Sequence, residues 1–171
     1  MFVVGQIDKL CLVLAAMLGL PFLMHMLPAE AGQSAGMIWL PIFYAPLIAV
    51  FFFRPHVAFL AGLLAPTINR LLTGLPDIMM SKILTVELLV FVFVLWLWQK
   101  HFKDFWFMGV VAYITAKGAS VLLFKWLSAD MAGMTLLIYF WETLLRSLPG
   151  LCVLTLGTII TLRLKAKGRD D

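Results

Sequence analysis

Long apolar stretches separated by short polar or bend-forming punctuation dominate the chain. Uncharged runs of sixteen or more residues recur, and a helix crosses the hydrocarbon with about 20 mostly apolar residues, fewer where its ends are anchored. The pattern predicts six spans, at 7–27, 37–53, 57–72, 83–98, 105–126 and 148–164. Breakers separate them: "LPAEAGQSAG", "RPH", "TGLPD", "QKHFKD" and "SADMAG" in turn. The short connections after the second and fourth spans predict antiparallel hairpins. Segment 131–145 is apolar but short for a span, and its polar residues Thr135, Tyr139, Glu142 and Arg146 recur at helical spacing. That stripe predicts an amphipathic helix on the outer face; an interfacial helix or the outer part of a long last helix fits the same residues. The first 27 residues carry no clear small-x-small cleavage site and are taken as a span.

Composition sharpens this into an all-α integral membrane bundle. Of 171 residues, 63% are hydrophobic and 13% charged, and mean hydropathy is +1.03, well above a soluble domain. Residues 1–171 are expected to form one transmembrane domain. Eight of the thirteen Lys and Arg residues (Lys9, Arg54, Lys100, Lys103, Arg163, Lys165, Lys167 and Arg169) fall on one side of these spans. By the positive-inside rule both termini are expected in the cytoplasm. The net charge of +4 reflects that bias and not nucleic-acid binding.

Two full charges fall inside spans, Glu87 in "LTVELLVFVF" and Lys117 in "YITAKGASVLLF". Each costs about 2.5–3.5 kcal/mol near a helix centre, so each is expected to face the bundle interior and find a partner. Glu87 is expected about one turn from the outer end of its span. On the fifth span Trp106, Tyr113, Lys117 and Ser120 share a face, and an outward-facing cavity between Glu87 and Lys117 is one expectation, a plain interhelical ion pair the other. In "LLAPTINRLLTGLPD", Asn69 and Thr73 share a face, Pro66 loosens the hydrogen-bond ladder, and "TGLP" ends the helix near the same outer level. A packed kink with Arg70 reaching outward is the plainer reading. Cys11, Ala15 and Gly19 repeat at spacing four on the first span, where small side chains let another helix come close. That face serves either a partner or internal packing.

Cys11 and Cys152 stand alone in apolar runs and the three histidines are scattered near helix ends, so neither a metal site nor a disulfide is expected. The sequence lacks GxxxxGK[ST] and an ordered nucleophile, base and orienting group, which argues against an enzyme.

The stretch "RPHVAFLAGLLAPTINRLLTGLPDIMMSKILTVELLVF", followed much later by "SLPGLCVLTLGTIITLRLKAK", resembles the substrate-binding S components of energy-coupling factor (ECF) transporters. The resembling features are the small-residue and proline turn "LLTGLP", a glutamate on the next helix, and "PG" opening the last helix before a basic tail. The resemblance implies a six-helix subunit of a bacterial or archaeal cell (inner) membrane that captures a small vitamin-like or heterocyclic nutrient from outside. Its partners would be a membrane coupling subunit and two ATPase subunits, which use the ATP; the chain itself would hold no cofactor. The regions that contact solute would contain Asp77, Glu87, Tyr113, Lys117, Tyr139, Trp141, Glu142 and Arg146. Glu87, Lys117 and Arg146 would meet its polar edges, Tyr113 and Trp141 its flat face, and 131–145 would close as a lid. The Cys11, Ala15 and Gly19 face would dock on the coupling subunit, although a glycine stands where the family's second alanine is expected. The rival reading is a non-transporting membrane scaffold resembling the rod-shape protein MreD, which needs no solute pocket.

Overall fold

A computed structural model describes residues 4–26, 35–102, 105–126 and 136–170. Every element among them is helical: α1 (Val4–His25), α2 (Ala35–Trp39), a 3-10 turn (Pro41–Phe43), α3 (Tyr44–Phe52), α4 (Pro55–Thr73), α5 (Ile78–His101), α6 (Met108–Trp126), α7 (Leu136–Arg146) and α8 (Leu148–Asp170). Three stretches among the described residues, Gly5–Met24, Ile78–His101 and Leu148–Lys167, are long and apolar enough to cross a membrane, and Pro41–Phe52 and Met108–Leu123 are shorter apolar helical stretches. The chain has the makings of a membrane bundle. Helix α5 lies along both α4 and α6, α1 packs on α4 and α3, and α8 on α3 and α6.

The expected span 37–53 is broken. Its run stops at Leu40, which takes the left-handed conformation (φ 54, ψ 39), and restarts in the 3-10 turn. Pro41 is the cause, because a following proline disfavours right-handed helix at the residue before it. The left-handed backbone costs a leucine about 1–2 kcal/mol, and the surroundings hold it there. The Tyr44 hydroxyl donates to the Trp39 carbonyl, and the start of α8 closes over the bend. A Cβ on Gly150 would come within 2.7–2.8 Å of Leu40, Ile38 and Trp39 atoms, so the "PG" of the last helix is a close-packing requirement. Gly109 plays the same part between α6 and α8, where a Cβ would sit 2.6 Å from Thr158 Oγ1. Such approaches favour association in lipid, where dispersion contacts replace the hydrophobic effect between helices.

The other boundaries shift in ways the local chemistry explains. Helix α5 begins at Ile78, five residues before the expected 83, because the Asp77 carboxylate accepts from the Met80 amide at 2.7 Å and caps it. The "TGLP" stretch is a tight connection: Gly74, at φ 74, donates to Arg70 O at 2.8 Å, Thr73 Oγ1 accepts from the Leu75 amide at 3.2 Å, and Leu75–Pro76 is cis. Residues 71–75 are exposed, so this backbone does not enter the bundle. Helix α8 runs on to Asp170.

The two ends of the bundle differ in charge. The Gln6 amide oxygen and His56 Nε2 meet at 3.1 Å, the Lys9 ammonium lies 5.6 Å from the Phe53 ring centre, and that of Lys165 5.6 Å from Phe51. The start of α1, the α3–α4 turn and the end of α8 therefore lie together, bringing Lys9, Arg54, Arg163, Lys165 and Lys167 to one end. Lys103 lies outside the described residues.

Candidate functional site

Glu87 is the tenth residue of α5 and Lys117 the tenth of α6. At 1.5 Å per residue each stands about 13 Å from the end of its helix facing away from the basic end. Glu87 is thus deeper than the single turn expected for it. The two charges meet: Lys117 Nζ donates to Glu87 Oε1 at 2.7 Å, and Ser120 Oγ reaches the same oxygen at 2.7 Å. The Glu87 side chain is 4% exposed and that of Lys117 16%. Ser120, one turn beyond Lys117, also lies 2.9 Å from the Lys117 carbonyl.

An open chamber between the charges is therefore not what the described residues present; the pair is closed on itself. It remains a complete polar knot in an apolar bundle, with opposite charges in contact and a hydroxyl supporting the carboxylate, so insertion leaves neither ion bare.

Tyr113 lies one turn from Lys117 on α6, fully buried. Its ring meets Phe43 edge-on at 5.2 Å, and Phe43 meets Phe91 at 5.0 Å. The bend at Leu40 and Pro41 is what delivers Phe43 to this position. The Tyr113 hydroxyl faces Ser147, yet neither it nor any other described group gives it a hydrogen bond of good geometry. Ser147 donates instead to Leu144 O at 3.0 Å. A buried hydroxyl left so costs about 1–3 kcal/mol, and most such groups in native proteins are satisfied. Tyr139 of α7 lies within electrostatic reach of both Tyr113 and Lys117.

The structure thus gathers Glu87, Tyr113, Lys117 and Tyr139 and adds Ser120, Ser147 and the Phe43–Phe91 edge. It sets the other expected residues apart. Asp77 is spent on the helix cap, Trp141 is 52% exposed, and Glu142 and Arg146 pair with each other at 3.5 Å on the surface of α7. Helix α7 turns Leu137, Trp141 and Leu145 outward while Tyr139 and Thr143 are half-buried; Thr135 and the rest of 131–135 lie outside the described residues. Phe43 and Ser147 were missed in the sequence, although Pro41 after an apolar run signals the bend that brings in the first.

On α1, Cys11 and Ala15 are exposed and Gly19 is half-buried. A Cβ on Gly19 would meet nothing within 4 Å, whereas Val13 and Met17 on the opposite side are buried. Among the described residues, internal packing makes little use of the small-residue face. Among the described residues no three His, Cys, Asp or Glu side chains converge as metal ligands, and Cys11 and Cys152 are free and exposed. No protein-family model, no curated protein and no solved structure matches the chain.

Proposed function

We propose that the chain is a solute-binding membrane subunit of the ECF S-component kind, taking a small heterocyclic, vitamin-like nutrient from the outer face for ATP-driven uptake by partner subunits. The observation that carries the reading is the polar knot of Glu87, Lys117 and Ser120 beside the unsatisfied Tyr113 hydroxyl, because buried ionisable groups in a membrane are costly and by default mark binding sites or pathways. In this reading α1, α2 with α3, α4, α5, α6 and α8 form six crossings. The basic end, with both termini, faces the cytoplasm of a bacterial or archaeal cell. Solute enters by exchanging the Lys117–Glu87 contact for one bond to each charge, with Tyr113 donating to a third polar atom. Helix α7 is the cover, Tyr139 its inward face. The little-used Cys11, Ala15 and Gly19 face docks on a membrane coupling subunit attached to two ATPases, and this chain hydrolyses nothing.

Identification by mass spectrometry of a small molecule released from the purified, denatured protein, followed by calorimetric rebinding, tests the proposal. One solute per chain is expected. Its affinity should fall about 10- to 100-fold in Glu87→Gln and in Lys117→Met, as for loss of one hydrogen bond to a charged group, and stay low in the double variant. The direct 2.7 Å contact favours a second reading, a scaffold in which the pair is purely structural. Absence of any retained molecule, or a solute whose affinity neither substitution changes, would leave that second reading standing.

A further inference from the structure

The ion pair in the candidate site carries no net charge. Lys117 Nζ and Glu87 Oε1 meet at 2.7 Å, and the pair sums to zero wherever the proton between them rests. Among the described residues, the other side chains that act electrostatically on Lys117 are the phenols of Tyr113 and Tyr139, so no third full charge alters that balance. The two ions differ in freedom. Glu87 is 4% exposed and its Oε1 is also held by Ser120 Oγ at 2.7 Å, whereas Lys117 is 16% exposed and sits on a long flexible stem. When the pair is parted, the carboxylate stays and the ammonium moves. Tyr113, one turn from Lys117 on α6 and fully buried, keeps a hydroxyl that no described group satisfies.

Resting on the reading that this knot is the solute site, we propose that the solute is a zwitterion, with an anionic group that pairs with Lys117 and Tyr113 and a cationic nitrogen that pairs with Glu87. Electroneutrality selects this class. A solute that separates the two ions must replace the partner of each. One bearing a single charge re-pairs one ion and abandons the other inside an apolar bundle, and an abandoned buried charge weakens binding about 100-fold or more. An uncharged solute meets two full charges with dipoles alone and returns less than the ionic contact it breaks. A zwitterion restores both contacts and leaves the site as neutral as before. The unsatisfied Tyr113 hydroxyl fixes the orientation, because it adds a donor beside the ammonium: the anionic end lies toward α6 and the cationic end toward α5.

Calorimetric titration of the full chain in detergent at neutral pH reads the selection, with tryptophan, tryptamine and indolepropionate as probes: one ring system bearing both charges, the cation alone and the anion alone. Tryptophan should bind about 100-fold more tightly than either relative. Lys117→Met leaves Glu87 alone and should put tryptamine first. Glu87→Gln leaves Lys117 alone and should put indolepropionate first. The double variant abandons no charge, should match the parent in stability, and should lose the ranking. Melting temperatures report whether each variant folds, and the parent's order with that of the double variant decides the question where a single variant does not. A parent that prefers a singly charged probe, with either substitution reducing that binding, would overturn the zwitterion and leave the solute-binding reading in place. One order kept by all four proteins, or binding of none of the three probes, would also overturn it, and absence of any retained molecule would take the solute-binding reading with it.

Discussion

Replacing Glu87 by Gln, Lys117 by Met, and then both, asks whether the ionic contact holds the bundle together. Lys117→Met leaves a carboxylate that is 4% exposed with Ser120 as its one remaining described partner, and an abandoned buried charge costs about 3–5 kcal/mol. Glu87→Gln belongs at the lower end of that range. The amide oxygen can still accept from Ser120, and the ammonium, 16% exposed, can swing toward its open side. The double variant abandons no charge and fills similar volume, so it should return to within about 1 kcal/mol of the parent. The coupling energy is then on the order of 5 kcal/mol, within the range seen for close charge pairs. Equilibrium unfolding in mixed micelles, followed by far-ultraviolet circular dichroism, measures all four proteins. Stability losses that simply add, within about 0.5 kcal/mol, would mean that the two side chains do not touch in the membrane and would remove the pair from any account of the fold.

Gly150→Ala drives a methyl into the backbone of Ile38 and Trp39 and should cost about 1–3 kcal/mol in the same unfolding assay; an unchanged midpoint would refute the close approach of α8 to the Leu40 bend. Gly109→Ala should cost a similar amount, about 1–3 kcal/mol, against Thr158, whereas Gly19→Ala, with nothing within 4 Å, should leave the chain as stable as before and show its effect only in assembly with a partner. Asp77→Ala removes the α5 cap and should lower stability by about 1 kcal/mol, while Asp77→Asn, which keeps an acceptor, should not. For orientation, in a chain whose own cysteines are replaced by serine, Asp77→Cys should react with an impermeant maleimide on intact cells and Lys100→Cys only after lysis; the reverse pattern would invert the bundle.

Much of the architecture was legible because it is written in strong signals. "RPH" and "TGLPD" mark the ends of α3 and α4 closely, since proline and glycine act through backbone sterics wherever they fall. The interior placement of Glu87 and Lys117 followed from the cost of exposing charge to lipid. Hydropathy failed where a helix and an apolar run are different things. Ser81 and Lys82 dilute the start of α5, yet the backbone there is helical because Asp77 caps it. Conversely, the unbroken greasy run 37–53 hides a left-handed leucine whose only warning is Pro41. The contact between Glu87 and Lys117, and its depth, depend on the register of α5 against α6, which no spacing within either helix encodes. Periodicity grouped the polar residues of α7 on one stripe, but not the direction in which that stripe would face.

That direction has a mechanical consequence. With Leu137, Trp141 and Leu145 pointing away from the protein, swinging α7 into water from the membrane setting proposed above would strand three large hydrocarbon groups at about 1.5–3 kcal/mol each. On that proposal, sliding or rolling sideways among the lipids costs this segment less than lifting away from them, so its freedom will depend on bilayer fluidity and thickness more than on the viscosity of the surrounding buffer.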